Sequence, residues 1–137
     1  MENMKKNINL RQNWRFHQDI YIKKKDAQAI VHTHSTNATA LSVHKKPIPA
    51  FHYMVALAGG NDIKCAKYAT YGTRELSKNI LKALNNRKAC LIANHGQIAF
   101  DKNLPDAFEL AQEVENLSLQ YITALKLGKP KILSINE

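Results

Sequence analysis

The sequence predicts a layered α/β domain, on three observations. Short apolar runs, Ala29-Ile30-Val31 and Ala89 to Ala93, have the length and composition of buried strands. Apolar residues recur at helical spacing over 74–84 and 104–127. Glycine and proline clusters at 47–49, 59–60 and 128–130 separate these segments. Strands alternating with helices are the pattern of a sheet covered by helices. At 137 residues the chain has the size of one domain, which hides roughly two thirds of the surface that its unfolded form exposes.

The elements follow in order. Residues 1–9 are basic and aperiodic, so a flexible N-terminus is expected. Trp14 to Ile22 suits a helix with Trp14, Phe16 and Ile20 toward a core, ended by Lys23 to Asp26. The strand at 29–31 runs into His32-Thr33-His34, and Ser35 is placed to cap a helix over Ala38, Leu41 and Ser42 to about His44. Pro47 and Pro49 stop it. Phe51 to Ala58 reads as a second short helix ended by Gly59-Gly60. Ile63 to Ala66 reads as one strand. Thr73 caps a helix with apolar positions 76, 80, 81 and 84. Ala89 to Ala93 runs straight into Asn94-His95-Gly96, with Gln97 to Phe100 paired beside it. Leu104 to Leu127 is the longest helix, closed by Gly128-Lys129-Pro130. Gly59, Gly60 and Gly72 read as turn positions that need positive φ.

Composition narrows the function. Hydrophobic residues make up 45% and charged residues 23%, the balance of a globular protein rather than a disordered one. No apolar run approaches the roughly 20 residues that span a bilayer. The N-terminus lacks the apolar stretch of a secretory signal. Cys65 and Cys90 form neither a CxxC pair nor a disulfide framework, so two free buried thiols in a reducing cytoplasm are expected. The net charge of +9 rests on 16 Lys and only 4 Arg, accompanied by 13 Asn. Its basic runs, Lys23-Lys24-Lys25 and Lys45-Lys46, are short and separate, and they lack interleaved aromatics. The charge therefore reads as a solvated surface rather than a nucleic-acid face, with attraction of small anions as the other option.

One constellation carries chemistry. His32 and His34 stand at i and i+2, so on a strand their imidazoles share a face. His95 sits at the end of another apolar strand. If both strands end at one edge of a sheet, three histidines converge. Three neutral imidazoles leave a zinc ion its full charge and an open position, the pattern of a catalytic site. Spacing alone leaves a second option open, histidines that merely pack or hydrogen bond. The rival hydrolase pattern HxHxDH fails, because Thr36 and Asn37 occupy the positions of its Asp and last His.

Several ordered strings carry a resemblance. They are Trp-Arg-Phe-His at 14–17, His-Thr-His-Ser at 32–35 and Ile-Pro-Ala-Phe-His-Tyr-Met at 48–54. They continue with Ala-Gly-Gly at 58–60, Tyr-Ala-Thr-Tyr-Gly-Thr-Arg-Glu-Leu-Ser at 68–77 and Asn-His-Gly at 94–96. Together they resemble the class II aldolase/adducin family, closest to its L-fuculose-phosphate aldolases, over residues 10–127. The resemblance implies one domain over 1–137, a three-layer α/β/α sandwich around a central mixed or antiparallel sheet. It implies one Zn2+ per chain held by His32, His34 and His95, which match the family's ligands. It also implies aldehyde-lyase chemistry on a sugar phosphate, the metal stabilising the enediolate formed when the carbon–carbon bond breaks. Tyr53 matches the tyrosine that assists proton transfer at the aldehyde oxygen. A cytoplasmic homo-oligomer is implied, since the family builds tetramers with active sites between subunits; neither nucleic acid nor membrane is an expected partner.

The sequence departs from the family at three places. Asn13 stands where the family has the glutamate that acts as general acid/base, and an amide has no proton to exchange near neutral pH. Arg11 and Gln12 stand where serines contact the substrate phosphate, and the family's upstream segment with its phosphate loop is not matched. The family's C-terminal tail, with a further tyrosine, is not matched either. The expectation is an N- and C-terminally truncated member, either with weak turnover or as a catalytically decayed remnant that keeps the fold. The remaining residues have structural readings: Asp19 and Glu75 as parts of family-typical strings, and His17, His44 and His52 as surface or core histidines.

Overall fold

The computed structural model describes residues 14–137. The expectations for residues 1–9, and for Arg11, Gln12 and Asn13, lie outside the described residues.

Helix α1 (Trp14–Lys23) leads into strand β1 (Ala29–Thr33), helix α2 (Thr36–Ser42) and strand β2 (Ile48–Pro49). A 3-10 helix (Tyr53–Ala58), strands β3 (Asp62–Ile63) and β4 (Cys65–Ala66), and helix α3 (Arg74–Ala83) follow. Strands β5 (Ala89–Ile92) and β6 (Gly96–Asp101) and the long helix α4 (Leu104–Lys126) complete the order. The main sheet has the order β1-β6-β5-β4, with β4 parallel to β5 and the other pairs antiparallel. It is a mixed sheet, as expected.

Strand period explains the layers. Successive side chains of a strand point to opposite faces. Cys90, Ile92, Ile98 and Phe100 face one side, where they pack with Phe16 and Ile20 of α1 and Leu76 and Ile80 of α3. Ala89, Leu91 and Ala99 face the other, against Ala38 and Leu41 of α2 and Leu110, Val114 and Leu117 of α4. The sheet is therefore covered on both faces, which makes three layers. Each fully buried Leu, Ile or Phe contributes about 1.5–3 kcal/mol. Helices α3 and α4 start where the sequence predicts. The Thr73 hydroxyl accepts from the Leu76 N–H, and the Asn103 side chain accepts from the Asp106 N–H at 2.8 Å.

Four local expectations are corrected. Trp14 is 48% exposed, with the Arg15 guanidinium 5.2 Å from its ring, rather than packed in the core. It precedes buried Phe16 by two residues, about 200° around a helix of 3.6 residues per turn. The segment 63–66 is not one strand. Ile63 pairs with Ile48, whereas Cys65 and Ala66 pair with Leu91 and Ile92, so the chain changes sheets at Lys64. The turn of helix after Phe51 is 3-10 and begins at Tyr53, with the His52 ring accepting from the Met54 N–H. Cys90 is buried but Cys65 only half-buried.

Gly59 does have positive φ, at 99°, but Gly60 does not. A Cβ on Gly60 would instead lie 2.2 Å from the Arg87 guanidinium carbon. That guanidinium donates to the Asp62 carboxylate at 2.7 Å and to the Asn61 side chain at 3.1 Å. Close approach, not backbone freedom, explains this glycine.

Candidate metal centre

Sheet register brings the histidines together. Thr33 pairs with Gln97, and Ile92 with Gly96, so the C-terminal ends of β1 and β5 and the start of β6 share one edge. His32 lies near the end of β1 and His34 just beyond it. His95 occupies the tight turn between β5 and β6, where Asn94 takes a left-handed φ of 55°. The rings of His32, His34 and His95 stand 4.8–5.0 Å apart between centroids. One ring nitrogen from each lies within 4.8 Å of the other two. Nitrogens on a single zinc at about 2.0–2.1 Å stand no more than about 4 Å apart, so a small closing of the rings puts all three on one ion.

Gly96 makes this edge possible. A Cβ there would lie 2.3 Å from the Thr33 carbonyl oxygen and 3.2 Å from the His34 ring. Only glycine allows β1 to pass this close beside the turn.

The electrostatics favour ligation. His32 Nδ1 lies 2.8 Å from the Gln97 carbonyl oxygen. A carbonyl only accepts, so Nδ1 carries the proton and Nε2 keeps its lone pair. Nε2 is buried and has no hydrogen-bond partner among the described residues. A buried polar atom left alone costs about 1–3 kcal/mol, which a metal bond would answer. Burial holds the His32 pKa down to about 4, reinforced by His95, His34 and His17 and opposed by the bond to Gln97. His95 is likewise lowered, by burial first and by His34 second. Neutral imidazole is the form that binds metal.

The supports come from elsewhere in the chain. The Gln97 side chain donates to Ser35 Oγ at 3.0 Å and to the Ala111 carbonyl of α4 at 2.9 Å. Ser42, fully buried at the end of α2, accepts from the His95 N–H at 3.3 Å through its hydroxyl. Its carbonyl accepts from the Asn94 N–H at 3.2 Å.

The other named residues sit apart. Tyr53 is 69% exposed, its ring stacked on His52 at 4.8 Å, and it shares no hydrogen bond or ring contact with the three histidines. His44 is exposed. Asp19 accepts from the Ser77 hydroxyl and so ties α1 to α3. Glu75 lies in the first turn of α3. His17, read from the sequence as an ordinary surface or core histidine, lies beside the centre. Its ring stacks on Phe16, stands 6.5 Å from that of His32 and has a pKa lowered by burial. The sequence reading placed Ser42 on a helix and Gln97 on a strand but linked neither to this centre. Gln97 had a signal, a polar residue inside the apolar run from Gly96 to Phe100.

The chain is similar to known proteins over most of its length. The family profile described as the class II aldolase and adducin N-terminal domain matches residues 2–122. A 5-methylthioribulose-1-phosphate/5-deoxyribulose-1-phosphate aldolase of Rhodospirillum rubrum is 52% identical over 124 residues, 90% of this chain and 56% of that protein. An L-fuculose phosphate aldolase of Escherichia coli is 53% identical over 117 residues, 85% of this chain and 54% of that protein. A solved structure of L-fuculose 1-phosphate aldolase superposes with a TM-score of 0.87 at 43% identity, covering 91% of this chain and 58% of that one. The chain thus spans about half the length of the curated relatives it matches.

Proposed function

The chain belongs to the class II aldolase and adducin family, and we propose that it holds one zinc ion on His32, His34 and His95 and acts as an aldehyde lyase on a sugar phosphate. The observation that carries this reading is the convergence of three imidazoles, one with a buried, unpartnered Nε2. Bound there, the metal supplies fixed positive charge where negative charge develops on oxygen as a carbon–carbon bond breaks.

The chain's own residues do the rest. The Gln97 carbonyl fixes the His32 tautomer, and Ser42 fixes the backbone of His95. Tyr53 assists proton transfer at the oxygen that becomes the aldehyde, taking its proton in cleavage and returning it in the reverse condensation. Its exposure, and its separation from the histidines of its own chain, support a place at the centre of a neighbouring copy in a homo-oligomer. The net charge of +9 favours approach of a phosphorylated substrate.

Asn13 sets the rate. Without a positioned base at that place, turnover falls by about 10²–10⁴-fold, roughly 3–5 kcal/mol of barrier. The same residue supports a second reading, a member that keeps fold and metal but does not turn over. The test is aldehyde release by the zinc-loaded chain from L-fuculose 1-phosphate and 5-deoxyribulose 1-phosphate. Slow release, abolished in His32→Ala and raised in Asn13→Glu, is the expected result. Turnover within tenfold of an intact relative would sink the role given to Asn13. No release even from Asn13→Glu would favour the second reading.

A further inference from the structure

We propose that Glu115, on the long helix α4, is a positioning residue for the three-histidine centre. The inference rests on the metal reading above and adds a residue to it. Helix α2 joins two of the three histidines. Its N-terminal end follows His34 directly, through Ser35. Its C-terminal residue Ser42 binds the turn that carries His95 through two hydrogen bonds. Where α2 sits therefore decides where both histidines sit.

α2 does not cap itself. Ser35 is in the capping position, but its side chain makes no capping hydrogen bond. Its hydroxyl instead receives from Thr33 and Gln97. Two free N–H groups of the first turn, those of Asn37 and Ala38, are met from outside the helix by one carboxylate. Glu115 Oε1 accepts from the Asn37 backbone N–H and from its side-chain amide, both at 2.8 Å, and Oε2 accepts from the Ala38 N–H at 2.8 Å. Glu115 forms no ion pair among the described residues. Despite burial, these hydrogen bonds hold its pKa below the usual carboxylate range. A carboxylate at a helix N-terminus is also favoured by the positive end of the helix dipole.

His34 needs such an anchor. Its ring is exposed and makes no hydrogen bond among the described residues, so its place comes from the backbone on either side. β1 fixes one side and α2, clamped by Glu115, fixes the other. Groups hydrogen-bonded directly to ligand side chains are worth about 10–100-fold in metal affinity, and a clamp one step further out is expected near the lower end of that range.

The experiment titrates cobalt into the full chain stripped of metal, reading affinity and the visible absorption of the bound ion, which reports ligand geometry. The variants are Glu115→Gln and Ser42→Ala, with urea stability measured for each. Two controls separate position from stability. Asn103→Ala removes the cap of α4 away from the centre, and Glu109→Gln removes the same charge from an exposed position of that helix. Expected is a loss of affinity of about tenfold or more, with an altered spectrum, in Glu115→Gln. Ser42→Ala, which leaves the α2 cap in place, shifts in the same direction. Both controls keep the parent affinity and spectrum. Parent affinity and spectrum in Glu115→Gln, or an equal loss in Asn103→Ala at equal stability, would overturn this inference and leave the metal reading standing. A parent chain that binds no cobalt would overturn the metal reading, and this inference with it.

Discussion

Gly96→Ala probes the edge on which the whole centre depends. The added methyl carbon would lie 2.3 Å from the Thr33 carbonyl oxygen, about 1 Å closer than ordinary van der Waals contact. The φ of Gly96 is not positive, so alanine meets no backbone penalty there and the cost is contact alone. The obstacle is backbone, not a flexible side chain, so β1 and the β5–β6 turn must part. Overpacking of this kind costs about 1–3 kcal/mol, and weakening a ladder bond at Thr33–Gln97 adds about 1 kcal/mol. The expected loss is about 2–4 kcal/mol. For a chain of this size that lowers Tm by roughly 6–16 °C, at about 3–4 °C per kcal/mol. The same movement displaces the His34 ring, 3.2 Å from the new methyl, and loosens metal binding. Urea unfolding followed by circular dichroism gives the stability, and a cobalt titration gives the affinity. A variant within 0.5 kcal/mol of the parent (the usual size of a neutral surface change), with unchanged affinity, would show that this edge accepts a side chain at position 96.

Stripped of metal, the protein loses stability as pH falls from about 6.5 to about 4, because the unfolded chain binds a proton on His32 that the folded chain refuses. The loss from His32 is at most about 3 kcal/mol, His95 and His17 act in the same direction, and a urea midpoint unchanged between pH 7 and pH 4.5 would contradict it. Arg87→Ala removes the guanidinium that holds Asp62 and Asn61 under Gly60, and costs about 1–3 kcal/mol by urea unfolding with little effect on metal affinity. Burial raises the Cys65 thiol to about 11 and the Cys90 thiol further. A thiol reagent at pH 8 should therefore modify Cys65 slowly and Cys90 only on unfolding; rapid modification of Cys90 in the native protein would show that this core opens.

Elements that repeat a period were legible in the sequence. Helix α3 shows its buried face at Leu76, Ile80 and Leu84, and β5 shows itself as an unbroken apolar run. The metal candidates were legible because two local signals coincide, the i, i+2 spacing of His32 and His34 and a histidine before the glycine of a tight turn. Strand β2 was not legible, and β3 and β4 were read as one strand, since two residues are too few to display a period. The outward turn of Trp14 depends on its angle from Phe16, which apolar content alone conceals. Glu115 gave no sign at all. It caps a helix 78 residues away in the chain, and no local pattern sets it apart from Glu109 or Glu113 on the same helix. Tyr53 stands on the resemblance to the family, because nothing in its own surroundings joins it to the histidines.

The most direct test of the central claim is the metal content of the chain purified without added metal. About one zinc ion per chain is expected, lost in His32→Ala while the fold persists. A folded protein that carries no metal and takes up none on dialysis against zinc would contradict it.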